Sequence, residues 1–356
     1  MSKKNRANPS QAPDIKKTFS VKTIRKGVLY FILFSLLSFS ILFFYNNTAK
    51  AADVIKNLQP SYILLAISMS FIDMWLGGWR NHIFARVLKP EIAQKVCFKA
   101  NLANIFMGAV TPSQSGGGAA QLYVWYRSEI NLTNGFTISL INWFSTLFFF
   151  PTAAFFALYF MEDQFSENIL SFLLKSGFSI FGTLLAVILI AFWKPIWIGK
   201  GARTLANWIG QLNSNWKEKL NKWGQKTYEA IQEYQNNCKL LLTKHFWLLP
   251  YSFIMTLILY FNKFCLAYVL LLGLGVTAPF WTVIATQVIL MFVLYFAPSP
   301  GASGIAEFSI AALMSGILAE AFIPIFTLLH RTFLLFIPAL LGALVVLSEL
   351  RKHAEE

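Results

Sequence analysis

The sequence predicts an all-α polytopic membrane protein, with about six full transmembrane helices and two re-entrant helix-loop-helix hairpins in an inverted-topology repeat. Three observations carry that expectation. Of 356 residues, 56% are hydrophobic and 13% are charged, against roughly 25% charged in a soluble domain. The apolar residues run in stretches long enough to cross a bilayer. Two further apolar stretches, at about 100–126 and 280–316, are interrupted by Pro/Gly-rich loops that resemble each other.

Full spans are expected at 27–45, 61–78, 134–160, 177–193, 246–272 and 322–348. Each meets or nearly meets the roughly 17–25 residues that a crossing helix needs. The 35 Phe and 11 Trp residues suit lipid-facing and interfacial surfaces. A basic region precedes the first run, and Ala49-Lys50-Ala51 looks like a small-residue cleavage site. The run from Gly27 to Tyr45 exceeds the roughly 7–15 residues of a signal-peptide core, which favours an uncleaved anchor.

Loop charge sets the expected orientation. Residues 1–26 carry eight basic and one acidic, 79–99 five and one, and 194–245 nine and three. By contrast, 161–168 holds Glu162, Asp163 and Glu167 with no basic residue, and 273–279 is uncharged. Both termini are therefore expected in the cytoplasm, with the chain multi-pass in the cell membrane. The expected organisation is a basic segment 1–26, a first membrane half 27–193, a basic linker 194–245, a second membrane half 246–348 and a tail 349–356.

The formal charge of +14 would suggest nucleic acid as the partner of a soluble protein. Here the basic residues lie between apolar runs, so nucleic acid is not expected and the anionic headgroups of the cytoplasmic leaflet are. In the linker, Leu205, Ile209, Leu212, Trp216, Leu220 and Trp223 recur at three- or four-residue steps, with Lys217, Lys219, Lys222 and Lys226 between and beyond them. That pattern describes an amphipathic helix on the membrane surface. A charged linker packed on the protein is the alternative. Cys97, Cys238 and Cys265 show no metal-ligand spacing and read as small apolar fillers. No cofactor is expected.

The two loops align without a gap at an offset of 186 residues, Thr111–Gln121 against Ala297–Glu307. The same offset carries 61–78 onto 247–264 and 134–160 onto 320–346. One span-loop-span unit is thus used twice, with opposite expected orientations, as in many transporters. Irregular backbone at membrane depth must be buried in protein or line a wet cavity. Gly116, Gly117 and Gly118 permit close backbone approach. Pro112, Pro298 and Pro300 end the incoming half-helices. Second half-helices are expected to begin near Gly118 and Gly304, aiming free N–H groups at the bilayer interior as an anion site. Thr111, Ser113, Ser115, Ser299 and Ser303 add hydroxyls, and Gly301 and Gln121 complete the loops. The alternative is a purely structural pair of hairpins.

Charges inside apolar stretches are costly, at least about 2.5–3.5 kcal/mol at the bilayer centre. Among acidic residues only Asp73 and Glu307 fall there, and among basic ones Lys263 and Arg331, with His330 adjacent. Lys175 sits at an edge. Arg331 and Lys263 are candidate phosphate holders. Glu307 would pair with one of them, bind a cationic headgroup or carry a proton. Structural ion pairs are the alternative for each. Asp73 is expected to pair with Arg80 or snorkel.

The segments Val110–Tyr123, Pro298–Glu307 and His330-Arg331 through Gly342 resemble the lysylphosphatidylglycerol synthase transmembrane-region family, over roughly residues 25–350. The resemblance implies movement of lipids, such as aminoacylated phosphatidylglycerol, between leaflets. Full-length synthases of that family carry a further soluble aminoacyl-transferase domain. This chain reaches only Glu356, so lysyl transfer itself is not expected of it. Many members read Gly-Gly-Glu followed by Arg in the first loop, where this chain has Gly118 and Gln121. The leading expectation is a flippase for a phosphate-bearing lipid. The alternatives are a membrane-embedded headgroup enzyme, resting on His330 and Glu307, and an accessory subunit of a separate lipid synthase. A homo-oligomer is equally compatible with the sequence.

Overall fold

The structure is a computed structural model that describes residues 21–45, 51–160, 214–295 and 297–354, with isolated positions between 182 and 208. The expected span 177–193, the acidic loop 161–168, the first twenty residues and nearly all of 194–213 lie outside the described residues. Among the described residues every regular element is helical and no strand occurs. Five segments are long and apolar enough to cross a membrane: Ile24–Phe44, Pro60–Leu88, Leu132–Ala154, Leu248–Gly273 and Glu320–Arg351. They coincide with the five sequence-expected spans that fall on described residues.

In chain order the helices are α1 (Val21–Tyr45), the short α2 (Ala51–Lys56) and α3 (Pro60–Leu88). Next come α4 (Gln94–Val110), α5 (Ser115–Arg127) and α6 (Leu132–Phe160). They are followed by α7 (Ser214–Lys244), α8 (Leu248–Gly273), α9 (Phe280–Tyr295) and α10 (Ile305–Met314). The last segment is α11 (Ile323–Arg331), a π-helical stretch Thr332–Phe336, and α12 (Ile337–Ala354).

The 186-residue offset recurs in the helix bounds. Shifted by it, α3 covers 246–274, where α8 lies, and α4 covers 280–296, where α9 lies. Helix α6 shifts onto 318–346, which overlaps the final span Glu320–Arg351. Helices α4 and α5 have 17 and 13 residues, and α9 and α10 have 16 and 10. Each is at or below the crossing length of about 17–25 residues.

Span α3 runs ten residues beyond its expected end at 78. The apolar pattern weakens at Gly77-Gly78-Trp79-Arg80, but the backbone continues helical to Leu88. The two glycines face α4: a Cβ on Gly77 would meet the Asn101 amide at 2.5 Å, and one on Gly78 would meet Phe98 Cα at 2.9 Å. The extension carries Arg80 and Asn81 in among the packed helices.

Lipid tails are as apolar as the protein core, so close packing and interhelical hydrogen bonds hold such a bundle together. Helix α3 packs along α8, and α4 lies against α3, α5 and α12. The core splits in two. One cluster, with Leu266, Leu270, Val283, Ile310 and Phe326, surrounds the second loop. The other, with Phe84, Met107, Trp125, Ile138 and Leu248, surrounds the first. Leu36, Phe44, Leu64, Phe156, Leu340 and Leu347 are exposed on the outside, as a lipid-facing surface requires.

The basic linker is described from Ser214 onward. There α7 packs against the start of α6: Asn131 Nδ2 donates to Glu233 Oε1 at 2.6 Å, and Asn237 Nδ2 to Asn134 Oδ1 at 2.7 Å. Phe136 and Tyr234 stack edge-on, with centroids 6.1 Å apart. Over this stretch Glu233, Tyr234 and Asn237 of the charged helix contact the start of α6. The residues before 214 that opened its apolar stripe lie outside the described residues.

Candidate functional site

The two interrupted stretches turn in the same way. In the first, Pro112–Gln114 form a single 3₁₀ turn in which Ser113 (φ 49°) and Gln114 (φ 56°) are left-handed. In the second, Pro300–Ala302 do the same, with Gly301 (φ 57°) and Ala302 (φ 56°) left-handed. Pro112 therefore corresponds to Pro300, two residues beyond the Pro298 that sequence alignment paired with it. The following helix starts at Ser115 in the first loop, three residues before the expected Gly118, and at Ile305 in the second. The turns touch: Ser113 N donates to the Pro298 carbonyl at 3.2 Å. Gly301 packs so closely on Ala109 O and Phe31 that a Cβ would lie 3.0 Å from that oxygen and 2.6 Å from the ring.

The hydroxyls and glycines of the first loop serve largely its own helix ends. Thr111 Oγ1 donates to Met107 O at 2.5 Å and accepts from Gly116 N at 2.9 Å. Ser115 Oγ donates to Pro112 O at 2.9 Å. Gly117 is buried against Asn104, whereas Gly118 faces open space. Gln121 Oε1 accepts from Asn104 Nδ2 at 2.8 Å.

The second loop gathers charge instead. Arg331 Nε donates to Glu307 Oε1 at 3.0 Å, and Nη2 donates to Gly301 O at 2.8 Å and Ser303 Oγ at 3.3 Å. The other Glu307 oxygen accepts from Gly304 N at 2.6 Å. The carboxylate thus occupies the positive N-terminal end of α10, where the sequence placed free N–H groups. Ser303 Oγ also meets Ser35 Oγ of α1 at 2.9 Å. The Ser299 hydroxyl is buried without a described partner. Arg331 Cζ lies 5.7 Å from the Phe336 ring centroid, inside the π-helical stretch. That stretch leaves Phe333 O to accept from Ser70 Oγ at 2.6 Å. Single π turns in helices are frequent at functional sites.

His330 stands beside this network: its Nε2 is 3.0 Å from Gln287 Oε1, and its buried Nδ1 has no partner among the described residues. Lys263 Nζ donates to Asp73 Oδ2 at 2.6 Å, because α3 and α8 pack side by side. Asp73 therefore pairs with Lys263 and not with Arg80, as the sequence had suggested. Among the described residues no three His, Cys, Asp or Glu side chains converge as metal ligands.

Two cavities meet at the loops. One, of about 230 Å³, is lined by Lys263, His330, Arg331, Tyr260, Gly301 and Ala302 among others. The second, of about 600 Å³, is lined by Arg80, Asn81, Asn101, Ser113, Gly118, Gln121 and Trp143 among others. Asn104, Gln114 and Tyr295 line both. From the sequence Arg80 was expected only as a partner for Asp73, and Asn104, Gln114, Gln287 and Ser35 were not expected at the site. Arg80 was discoverable only by extending α3 past its glycines. The amides carry no hydropathy signal that separates them from loop residues.

The fold and site define a polytopic all-α membrane protein whose buried charges are gathered between two paired, interrupted helical stretches. A family model described as the lysylphosphatidylglycerol synthase TM region matches residues 28–342, and the chain belongs to that family. It is also similar to a UPF0104 membrane protein of Archaeoglobus fulgidus, 24% identical over 297 residues, which covers 80% of this chain and 85% of the relative. No solved structure matches the chain.

Proposed function

We propose that the protein carries a phosphate-bearing lipid between the leaflets of the cell membrane, through the paired cavities at the two loops. The observation that supports this most directly is the contact of the two turns, Ser113 N to Pro298 O at 3.2 Å, between a cavity lined by Lys263 and Arg331 and one lined by Arg80. Polar backbone and buried cations within a lipid-facing bundle are expensive, and a headgroup path is a use that needs both. The helical stretches α4–α5 and α9–α10 enter from opposite leaflets in this reading, as two inverted halves. The excess of basic residues in 1–26, 79–99 and 194–245 supports a cytoplasmic position for both termini. The larger cavity is lined by Arg80 and Asn81 from the C-terminal third of α3, and in this reading that end of α3 faces the cytoplasm.

The test is reconstitution into liposomes with fluorescent-tailed lipids, and quenching of the outer leaflet over time. Faster exchange than in protein-free vesicles is expected for at least one anionic, aminoacylated or polyprenyl-phosphate lipid. Equal rates for the whole series would sink the proposal.

A further inference from the structure

The chamber of about 600 Å³ is lined by a cation, Arg80, that forms no salt bridge among the described residues. Arg80 Nη1 donates to Thr146 Oγ1 at 3.2 Å and to Thr256 Oγ1 at 2.9 Å. Both hydroxyls direct their own protons elsewhere, Thr146 to Asn142 O at 3.0 Å and Thr256 to Ser252 O at 2.7 Å. Behind them a ladder across three helices fixes the geometry. Asn142 Nδ2 donates to Asn81 Oδ1 at 2.8 Å, and Ser145 Oγ to Ser252 Oγ at 2.8 Å. Arg80 belongs to no described ion pair, and its Nε has no acceptor. A guanidinium held on neutral oxygens retains its full charge for a ligand.

The carboxylates nearby are turned away. Asp73 is bound to Lys263 and Glu307 to Arg331, and neither lines either cavity. A ligand thus meets Arg80, Lys263 and Arg331 but no acidic side chain. The polar part of the larger chamber's lining is otherwise amide and hydroxyl, with Asn101, Asn104, Gln114 and Gln121, beside apolar Leu122, Phe136, Leu140 and Trp143. Amides offer donors and acceptors together, which matches hydroxyls. The volume lies within the roughly 300–1,000 Å³ of small-molecule sites.

We infer that this chamber takes an anionic phosphate ester that bears hydroxyl groups and no amine, of the glycerol- or sugar-phosphate kind, with Arg80 on the phosphate. The chemistry deepens the lipid-translocation proposal, resting on it only for the attachment of that ester to a lipid. An aminoacylated or ethanolamine headgroup would bring its ammonium beside Arg80, in a chamber with no carboxylate in its lining to receive it.

Equilibrium binding to the purified full chain tests this. The probes are short-chain phosphatidylglycerol, phosphatidylethanolamine, lysylphosphatidylglycerol and free glycerol phosphate. The wild type is expected to bind phosphatidylglycerol about tenfold or more tightly than either amine-bearing lipid. Arg80→Gln is expected to lose that margin and Arg80→Lys to keep part of it. The exposed Gln114→Glu, which puts a carboxylate at both cavities, is expected to shift preference toward lysylphosphatidylglycerol. Equal or tighter wild-type binding of an amine-bearing lipid overturns the inference, whatever the variants do. An unchanged preference in well-folded Arg80→Gln overturns it as well. Selective binding without leaflet exchange supports this inference while refuting translocation; exchange that favours amine-bearing lipids does the reverse. Free glycerol phosphate binding as tightly as the lipid supports the ester chemistry and places its source in solution.

Discussion

Arg331 and Glu307 form an ion pair at 3.0 Å with side chains only 5% and 0% exposed, and the same carboxylate caps the helix that carries it. The pair joins the last span to the second loop. Removal of one partner from such a pair leaves the other charged and unmatched, at a cost of about 3–5 kcal/mol. Arg331→Ala and Glu307→Ala are each expected to lower thermal stability in detergent by that order. The double variant Glu307→Leu/Arg331→Met should recover part of the loss. Single variants that melt with the wild type would show that the pair contributes nothing.

The pair Asp73–Lys263 differs in being partly open to a cavity, with Lys263 18% exposed. Asp73→Asn leaves that ammonium with neighbouring solvent, so the expected destabilisation is smaller than for Arg331→Ala. Because the variant adds an uncompensated positive charge to the cavity wall, it should also tighten binding of phosphatidylglycerol. Side-by-side melting curves and binding isotherms check both parts; a loss of stability exceeding that of Arg331→Ala would contradict the first.

The contact between the turns suggests a lock. A backbone hydrogen bond of 3.2 Å from Ser113 to Pro298 brings the two turns within the reach of a disulfide, whose Cα atoms usually lie about 4.4–6.8 Å apart. In a background with Cys97, Cys238 and Cys265 replaced, Ser113→Cys/Pro298→Cys is expected to cross-link on oxidation. Leaflet exchange should then stop and return on reduction. Full exchange by the cross-linked protein would mean that the turns need not part during transport.

Helix α12 approaches α4 at Gly342, where an added Cβ would collide with the Leu102 carbonyl oxygen and lie 2.7 Å from Phe106 Cβ. Gly342→Val should force the helices apart, at a cost of at least about 1–3 kcal/mol. Thermal unfolding measures it, and a wild-type midpoint would refute the close contact.

Much of the architecture was legible because it depends on local pattern. Apolar length located all five described crossing segments, and the Pro/Gly clusters located both loops. The 186-residue offset found in the sequence reappears in the helix bounds of α3, α4, α8 and α9. Finer register differs from the pairing by residue identity. The proline that opens each turn is shifted by two residues between the repeats, because a left-handed pair after Pro298 would include Pro300, whose ring forbids positive φ, and Gly301 and Ala302 take those positions instead.

The amino-acid sequence by itself determined the class of protein, its spans, the repeat and the fact that charges lie buried. Those follow from hydrophobic length and backbone chemistry, which act over one helix at a time. The tertiary structure decided which charges meet. Asp73 and Lys263 are 190 residues apart and face each other only because α3 and α8 pack together. Glu307 turns back to its own helix end and to Arg331, which leaves the expected anion site already filled. Arg80, read as the edge of a span, is carried inward by a helix that does not stop at its glycines. Pairing of charges is a property of facing surfaces, and a linear pattern does not encode which surfaces face.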